Sequence, residues 1–180
     1  LYQNFKIAAY FACLWKEHSL ARHYEQKAGQ LGKNIITYFW DNERKAFING
    51  YRTDGSKDDR ISHHAQYWGV LTGLYPEENY PYLFDKVIPS IPFYKENISY
   101  EKGYEYLAYI KAGRIKEMFA LLDDVWGDWL RQGNTRFPEN FSLNSPLEKQ
   151  LTFYERPFGL SLCHGANGVP PIIAILHGIY

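Results

Sequence analysis

One short segment of the sequence, GNTRFPENF, holds a single carboxylate between two aromatic rings. Phe137 lies two residues before Glu139, and Asn140 and Phe141 follow it. A carboxylate that transfers protons needs a partly buried position within reach of a water or a substrate proton. The two rings would form a dry wall, and the Asn140 amide could orient a water. The alternative is a solvated glutamate paired with Arg136. Glu139 is therefore a candidate general base, and Asn140 is a candidate binding residue.

A second segment, SLCHGANG, brings a histidine to the start of a predicted helix. His164 is followed by Gly165, with Gly168 one turn later. In a first helical turn, imidazole nitrogens can face a cleft and bind hydroxyl groups, and the glycines allow a ligand or a helix to approach closely. The alternative is a buried histidine whose nitrogens are satisfied by backbone groups. His164 is thus a candidate substrate-binding residue.

Residue types that commonly bind metals show no ligand spacing in this chain. His63 and His64 are adjacent, so one metal could not bind both with normal geometry, and there is no HExxH motif. The aspartates within residues 54–59 lack the order of a calcium loop and indicate a solvated turn. Cys13 and Cys163 have neither metal-ligand nor redox spacing, and we predict that both are free and buried. We therefore expect no metal and no cofactor.

The chain is rich in aromatic residues, with 16 Tyr, 11 Phe and 5 Trp making up 18% of the sequence. Aromatic rings stack on sugars in carbohydrate clefts, but on composition alone an aromatic-rich core is favoured. Trp126 and Trp129 are about one helical turn apart. One could belong to the core and the other to a cleft wall, and a core position is favoured for either. Trp126 is nevertheless a candidate substrate contact.

Length and charge restrict the class of partner. The 180 residues suffice for one domain with a substantial core. Twenty basic and twenty acidic side chains cancel, which argues against nucleic acid or an anionic membrane, because both need a basic excess or patch. The longest apolar run, residues 169–176, contains proline and is too short to span a bilayer. We therefore expect neither nucleic acid nor membrane as a partner.

Hydrophobic spacing predicts seven helices and almost no strands. Ser19 and Ser62 are the predicted N-caps of the second and third helices, and a short hairpin is predicted around Phe47 and Tyr51. The predicted helices cover residues 2–17, 19–39, 62–73, 101–112, 114–131 and 160–179, with another that starts at Pro76 and is closed by Pro89 and Pro92. Long loops cover residues 40–60 and 132–159.

This order of elements indicates an all-α fold. Short and long connections alternate, as in stacked helical hairpins. A helical repeat of about 34 to 47 residues would show matching positions, and we find none. The fold is therefore either an irregular α-solenoid or an α/α toroid, in which long loops gather at one end and build the active site.

Together these segments resemble the bacterial α-L-rhamnosidases of glycoside hydrolase family 78. WGDWLRQGNTRFPE is similar to that family's W-G-x(5)-G-A-T-T-x-W-E signature, with Trp126, Gly133 and Glu139 at matching spacings. SLCHGANG looks like the family's S-x-x-H-G/Y segment, and YEKGYEYLAYIKAGRIKEMFALL and ITYFWDNERKAFINGY resemble its upstream helices. The likeness covers nearly the whole chain. Arg136 and Pro138 replace a threonine and a tryptophan of the signature, which changes the expected pocket.

The resemblance implies part of an (α/α)6 toroid that hydrolyses terminal α-linked rhamnose with inversion. Glu139 then matches the general base and His164 a histidine lining the sugar site, while Trp126 and Asn140 would contact the carbohydrate substrate. Inversion also needs a second, protonated carboxylate, and the family's acidic, arginine-containing motif is missing from this sequence. We therefore expect residues 1–180 to be the C-terminal half of a catalytic domain. Alone it would be inactive, and its partner would be the N-terminal half of the same parent protein. A periplasmic or secreted parent is slightly favoured.

Two other interpretations stay open. Another six-hairpin carbohydrate enzyme, such as a different glycosidase or a glycoside phosphorylase, would share the toroid. A phosphorylase needs a phosphate site, however, and the loops offer only scattered Arg and Lys. A non-catalytic α-solenoid binding module predicts a repeat period and gives no reason for the aromatic neighbours of Glu139.

Overall fold

The computed structural model describes residues 1–92, 97–98, 101–137, 141–142 and 163–178. The chain divides into two compact units, Leu1–Val87 and Ile88–Tyr180. Within the described residues, both units consist of helices joined by turns and two-residue strands. The predicted predominance of helices is confirmed.

The first unit begins with a helical hairpin. Helix α1 (Tyr2–Leu14) packs against helix α2 (His18–Phe39). Small side chains at the contact let the two backbones approach closely, and a Cβ atom at Gly32 would lie only 2.9 Å from the Tyr2 ring. The buried alanines of the pair are Ala9, Ala12, Ala21 and Ala28.

The turn between α1 and α2 differs from the prediction. Lys16 has a left-handed φ of 63°, and the Ala21 amide donates to the Glu17 carbonyl at 2.9 Å. Glu17 is therefore the N-cap of α2, without a side-chain cap hydrogen bond. The prediction of Ser19 as N-cap was wrong, because the tight turn brings the chain into helical geometry before it reaches that serine.

Two hairpins follow α2, where the sequence predicted one. Strands β1 (Trp40–Asp41) and β2 (Ala46–Phe47) pair antiparallel, with Trp40 opposite Phe47. Strands β3 (Gly50–Tyr51) and β4 (Lys57–Asp58) form the second antiparallel pair. The Arg60 guanidinium donates to the Asp58 carboxylate and lowers its pKa to about 2, as expected for a charged turn in water.

Helix α3 (His63–Thr72) begins and ends as the sequence predicts. The Ser62 hydroxyl accepts a hydrogen bond from the Ala65 amide at 3.5 Å, and Gly73 ends the helix with a left-handed φ of 75°. The helix is joined to the first hairpin by Gln66. The buried side-chain amide of Gln66 accepts a hydrogen bond from the Phe47 N–H at 2.8 Å and donates one to the Phe47 carbonyl at 2.7 Å. Both backbone groups of Phe47 in β2 are thus paired.

The core of the first unit is an aromatic cluster. The Trp40 ring meets Phe47 and Tyr75 edge-on, each with a centroid separation of 5.1 Å. The Tyr75 hydroxyl donates to the Lys45 carbonyl, and burial raises the pKa of this phenol. Part of the aromatic composition therefore belongs to the core.

The fourth predicted helix is a composite. A 3₁₀ turn (Glu77–Asn79) leads into α4 (Tyr80–Tyr82) and a π-helical turn (Leu83–Val87), and α5 (Ile88–Ser90) opens the second unit. Pro89 lies inside α5 and does not close the helix. A π-turn already interrupts the i to i−4 bonding ahead of it, so the proline removes no regular hydrogen bond there.

The second unit contains the signature segment, residues 126–139, and the helices that lead to it. They are α6 (Lys102–Lys111), α7 (Ile115–Leu122), a π-helical turn (Asp123–Gly127) and α8 (Asp128–Arg131). Strands β5 (Asn97–Ile98) and β6 (Phe141–Ser142) pair antiparallel. Gly103 faces the last helix, α9 (Val169–Gly178), and a Cβ at that position would lie 3.2 Å from Ile173. The predicted helices at 101–112 and 114–131 are confirmed.

The last helix starts later than predicted. The structure has no helix at residues 163–164, a 3₁₀ turn at Gly165–Gly168, and α-helix only from Val169. Pro170 and Pro171 lie in the first turn, where helical amides have no intrahelical partner and prolines fit best. The predicted start at residue 160 was therefore too early, and His164 precedes the helical turns.

Neither cysteine forms a disulfide, as predicted, but neither is buried. Cys13 and Cys163 are exposed. Cys13 lies near the end of α1, and Cys163 lies just before the 3₁₀ turn. Burial depends on what packs over a side chain from distant parts of the chain, and spacing does not contain that information. Among the described residues, no group of three or more His, Cys, Asp and Glu could hold a metal ion. No helix in the described part of the chain is long and apolar enough to cross a bilayer.

Candidate active site

The segment that leads to Glu139 is folded back onto α8. Gly133 has a left-handed φ of 84°, and its amide donates to the Leu130 carbonyl at 2.9 Å, which ends the helix. The indole N–H of Trp129 then donates to the Arg136 carbonyl at 2.7 Å, and the Asn134 amide donates to the Trp129 carbonyl at 3.2 Å. A buried tryptophan thus fixes the path of the segment.

The structure brings His164 to the same segment. The backbone N–H of His164 donates to the Phe137 carbonyl at 2.8 Å. The Phe137 ring also covers Gly168, where a Cβ atom would lie 3.4 Å from the ring. The two motifs singled out in the sequence, GNTRFPENF and SLCHGANG, are therefore in contact through Phe137, two residues before Glu139.

The side chain of His164 has one ring nitrogen that no described residue binds. Its Nδ1 atom is buried and has no hydrogen-bond partner among the residues described, while its carbonyl accepts from the Asn167 amide at 3.1 Å. A buried polar atom without a partner costs free energy unless a water or ligand satisfies it. This nitrogen could bind a hydroxyl group.

Trp126 occupies a core position. Its side chain is 4% exposed, its indole N–H donates to the Asn167 carbonyl at 3.3 Å, and its ring meets Tyr106 edge-on at 5.9 Å. The indole N–H is therefore already used in joining the π-helical turn to the 3₁₀ turn. A contact between Trp126 and a substrate stays a prediction that would involve its ring.

Glu139 and Asn140 lie outside the described residues, so their predicted roles are not tested by the structure. The described chain on both sides is held by backbone hydrogen bonds. Phe137 is bonded to His164, and β6 pairs with β5, with Phe141 opposite Ile98 and Ser142 opposite Asn97.

A cavity of about 410 Å³ lies beside the signature segment within the second unit. Most of its wall is apolar, and Arg131 binds the Asp123 carboxylate at its edge with an N–O distance of 3.0 Å. Clefts of this size with aromatic walls and few polar groups are typical of small-molecule sites. The aromatic and polar residues that line it are Phe119, Trp126, Trp129, Phe137, Asp123, Thr135 and Arg136.

The first unit has its own cavity, of about 510 Å³, with a different character. No carboxylate, histidine or basic side chain is among the described residues that line it.

The second unit contains a buried ion pair that the sequence did not predict. Lys102 and Glu105 form an ion pair with an N–O distance of 2.7 Å, and their side chains are 11% and 3% exposed. Glu105 Oε1 has no hydrogen-bond partner among the described residues. The spacing of the pair on α6 is visible in the sequence, but such pairs are usually on the surface, so spacing alone gives no sign of burial.

Comparisons with known proteins agree with this architecture. A rhamnosidase from Klebsiella oxytoca with rhamnose bound superposes with a TM-score of 0.77 at 20% identity, over 97% of this chain and 32% of that one. A family 78 rhamnosidase of Bacillus sp. GL1 superposes with a TM-score of 0.67 at 22% identity, over 93% of this chain and 17% of that one. This chain thus spans about a third or less of the length of either enzyme.

These matches confirm the resemblance to the rhamnosidases at the level of the fold, and with it the all-α, six-hairpin fold class. No curated protein matches the sequence significantly. The family model for trehalase matches residues 1–135. Because that match covers three quarters of the 180 residues, the chain belongs to the trehalase family.

Proposed function

We propose that the chain is part of an inverting glycoside hydrolase that removes terminal α-linked rhamnose from glycans or glycosides. The observation that carries this proposal is the hydrogen bond between the His164 amide and the Phe137 carbonyl. It joins the segment that leads to Glu139 to a histidine whose Nδ1 has no hydrogen-bond partner in the described part of the chain. Both lie in a chain with the fold of rhamnosidases.

In this proposal each site residue has a distinct role. Glu139 is the general base that takes a proton from the attacking water, and Asn140 orients that water. His164 binds a sugar hydroxyl through Nδ1, and the ring of Trp126 shapes the wall of the site. Inversion also needs a carboxylic acid on the opposite side of the sugar to protonate the leaving oxygen.

That acid is the reason to propose a second part of the catalytic domain. The sequence lacks the acidic, arginine-containing motif expected for it, and the chain covers only 32% of the Klebsiella oxytoca enzyme. We infer that residues 1–180 form the C-terminal half of the toroid and that the N-terminal half of the parent protein supplies the acid.

Hydrolysis of trehalose is the second candidate function, and the match to the trehalase family model favours it. Both reactions cleave a glycosidic bond, so the same base could serve either. Steady-state rates of the parent enzyme on 4-nitrophenyl α-L-rhamnoside and on trehalose separate the two. A clear preference for trehalose would replace the rhamnoside proposal, and an absolute need for inorganic phosphate would indicate a phosphorylase.

The role of Glu139 is tested by Glu139→Gln in the parent enzyme. The change keeps the side-chain volume but removes the base, so kcat should fall by about 100- to 10,000-fold with little change in KM. Asp54→Asn is the matched control, because Asp54 is exposed and its carboxylate accepts hydrogen bonds from Ser56. Proton NMR of the first sugar anomer released reports the stereochemistry. A near-normal rate for Glu139→Gln, or retention of configuration, would contradict the assignment.

A further inference from the structure

The 3₁₀ turn that follows His164 depends on contacts from outside it. It is a single turn, Gly165–Gly168, and such turns have poorer hydrogen-bond geometry than an α-helix. The Asn167 N–H donates to the His164 carbonyl at 3.1 Å and so links the turn to the histidine. Gly165 has no side chain to restrict its backbone. The position of the imidazole therefore depends on the contacts that fix the two ends of this segment.

Trp126 fixes the end of the segment at Asn167. The indole N–H donates to the Asn167 carbonyl at 3.3 Å, and the two residues are 4% and 0% exposed. A hydrogen bond in such surroundings is electrostatically stronger than one in water. The Trp126 ring is itself held, because the buried Tyr106 of α6 packs edge-on against it at a centroid separation of 5.9 Å.

We propose that Trp126 is a positioning residue for His164. Its effect passes through two hydrogen bonds, from the indole N–H to the Asn167 carbonyl and from the Asn167 N–H to the His164 carbonyl. Trp126 thus controls substrate affinity through the imidazole. This role uses the indole N–H and leaves the ring to shape the wall of the site. It rests on the proposed function, because His164 must bind the sugar for its position to matter.

Trp129 provides a matched comparison within the same unit. It lies three residues after Trp126 in the sequence, its exposed fraction is also 4%, and its indole N–H also donates to a backbone carbonyl. That carbonyl belongs to Arg136, at 2.7 Å, and not to the 3₁₀ turn. Removing each indole N–H therefore takes away the same kind of hydrogen bond from a different segment of the site.

A double-mutant cycle in the parent enzyme tests the positioning role. Trp126→Phe removes the N–H but keeps an aromatic ring, so KM for 4-nitrophenyl α-L-rhamnoside should rise by about three- to tenfold, the value of one hydrogen bond. The accompanying change in kcat should be less than about threefold. In the His164→Ala background, Trp126→Phe should change KM by less than about twofold, because the group that it positions is gone.

Three further variants separate positioning from a general loss of structure. Any effect of Trp129→Phe should be the same with and without the His164 side chain, because its hydrogen bond goes to Arg136. Trp40→Phe should leave kcat and KM unchanged, since that indole donates to the Asn42 side chain in the first unit at 2.9 Å. Trp126→3-benzothienylalanine keeps the shape of the side chain without the N–H, so it should reproduce the rise in KM even if Trp126→Phe folds poorly.

The outcomes separate the positioning role from the proposed function. Equal KM changes from Trp126→Phe with and without His164 would overturn the positioning role and indicate direct contact between Trp126 and the substrate. An unchanged KM in both Trp126 variants, together with a raised KM in His164→Ala, would overturn the positioning role alone. An unchanged KM in His164→Ala would remove the histidine from the sugar site and the positioning role with it, whereas Glu139→Gln tests the general base independently.

Discussion

At His164 the backbone is fixed by a hydrogen bond, while one ring nitrogen has no partner within the described ranges. Its amide is bonded to Phe137, and Nδ1 is buried without a partner among the described residues. Because the backbone bond does not depend on the side chain, replacing the ring should leave the segment in place. His164 therefore allows the binding role of a single side chain to be measured separately from the fold.

His164→Ala in the parent enzyme should raise KM by roughly tenfold, the value of one lost hydrogen bond to a hydroxyl, and should change kcat by only a few-fold. His177→Ala is the control, since His177 is exposed in the last turn of α9. Steady-state kinetics on the aryl rhamnoside measures both parameters. An unchanged KM for His164→Ala would remove the histidine from the sugar site.

Single residues also affect stability, and the buried ion pair of Lys102 and Glu105 is an example. Its two side chains are almost fully covered, and burial, together with the negative charge of Glu105, raises the pKa of the neighbouring Tyr106. Glu105→Gln removes the charge that faces Lys102 while keeping the volume. The loss of a buried charge partner typically costs about 3 kcal/mol or more, and other partners of Lys102 would reduce this cost.

We therefore expect Glu105→Gln to lower the free energy of unfolding by about 1 to 3 kcal/mol, measured by urea denaturation. Glu25→Gln, at an exposed position of α2, should change it by less than about 0.5 kcal/mol. Equal effects of the two substitutions would mean that the buried pair contributes no more than a surface charge.

At the scale of elements, the contact between α3 and the first hairpin requires the helix backbone to lie close to Phe47. Gln66 supplies the hydrogen bonds to Phe47, and Gly69 supplies the space, because a Cβ there would lie 2.7 Å from the Phe47 ring. At Gly29 on α2, by contrast, an added Cβ atom would have no atom of a described residue within 4 Å.

Gly69→Ala should therefore destabilise the protein by about 1 to 3 kcal/mol through overpacking. Gly29→Ala should stabilise it by roughly 0.5 to 1 kcal/mol, because alanine is the better helix former at a helix-interior site without a steric conflict. Thermal and urea unfolding of both variants measure the difference. Similar stability changes in the two variants would show that α3 can shift away from the hairpin at little cost.

For the whole molecule, the proposed division of the catalytic groups makes a clear prediction. The 180-residue chain alone should not hydrolyse 4-nitrophenyl α-L-rhamnoside or trehalose above the background rate, because one carboxylate cannot supply both proton transfers. A continuous assay with Glu139→Gln as the matched blank measures this. Hydrolysis by the unaltered chain that disappears in Glu139→Gln would place both catalytic groups within these residues.

Local chemistry in the sequence determined where several elements begin and end. Ser62 was predicted as the N-cap of the third helix and residue 73 as its end, and the structure has both boundaries there. A hydroxyl at an N-cap or a glycine at a left-handed φ acts within one turn of chain, so neighbouring residues suffice to predict it. The signature segment likewise indicated the fold family through the spacing of its residues, although the roles of Glu139 and Asn140 stay predictions.

Only the tertiary structure decided which side chains are covered and which motifs meet. The Trp126 indole is bonded to Asn167, 41 residues later in the chain, and Phe137 is bonded to His164. The two cysteines, predicted to be buried, are exposed, while Lys102 and Glu105 are buried. Burial and contact depend on what packs against a residue from distant parts of the chain, and the spacing of its neighbours does not contain that information.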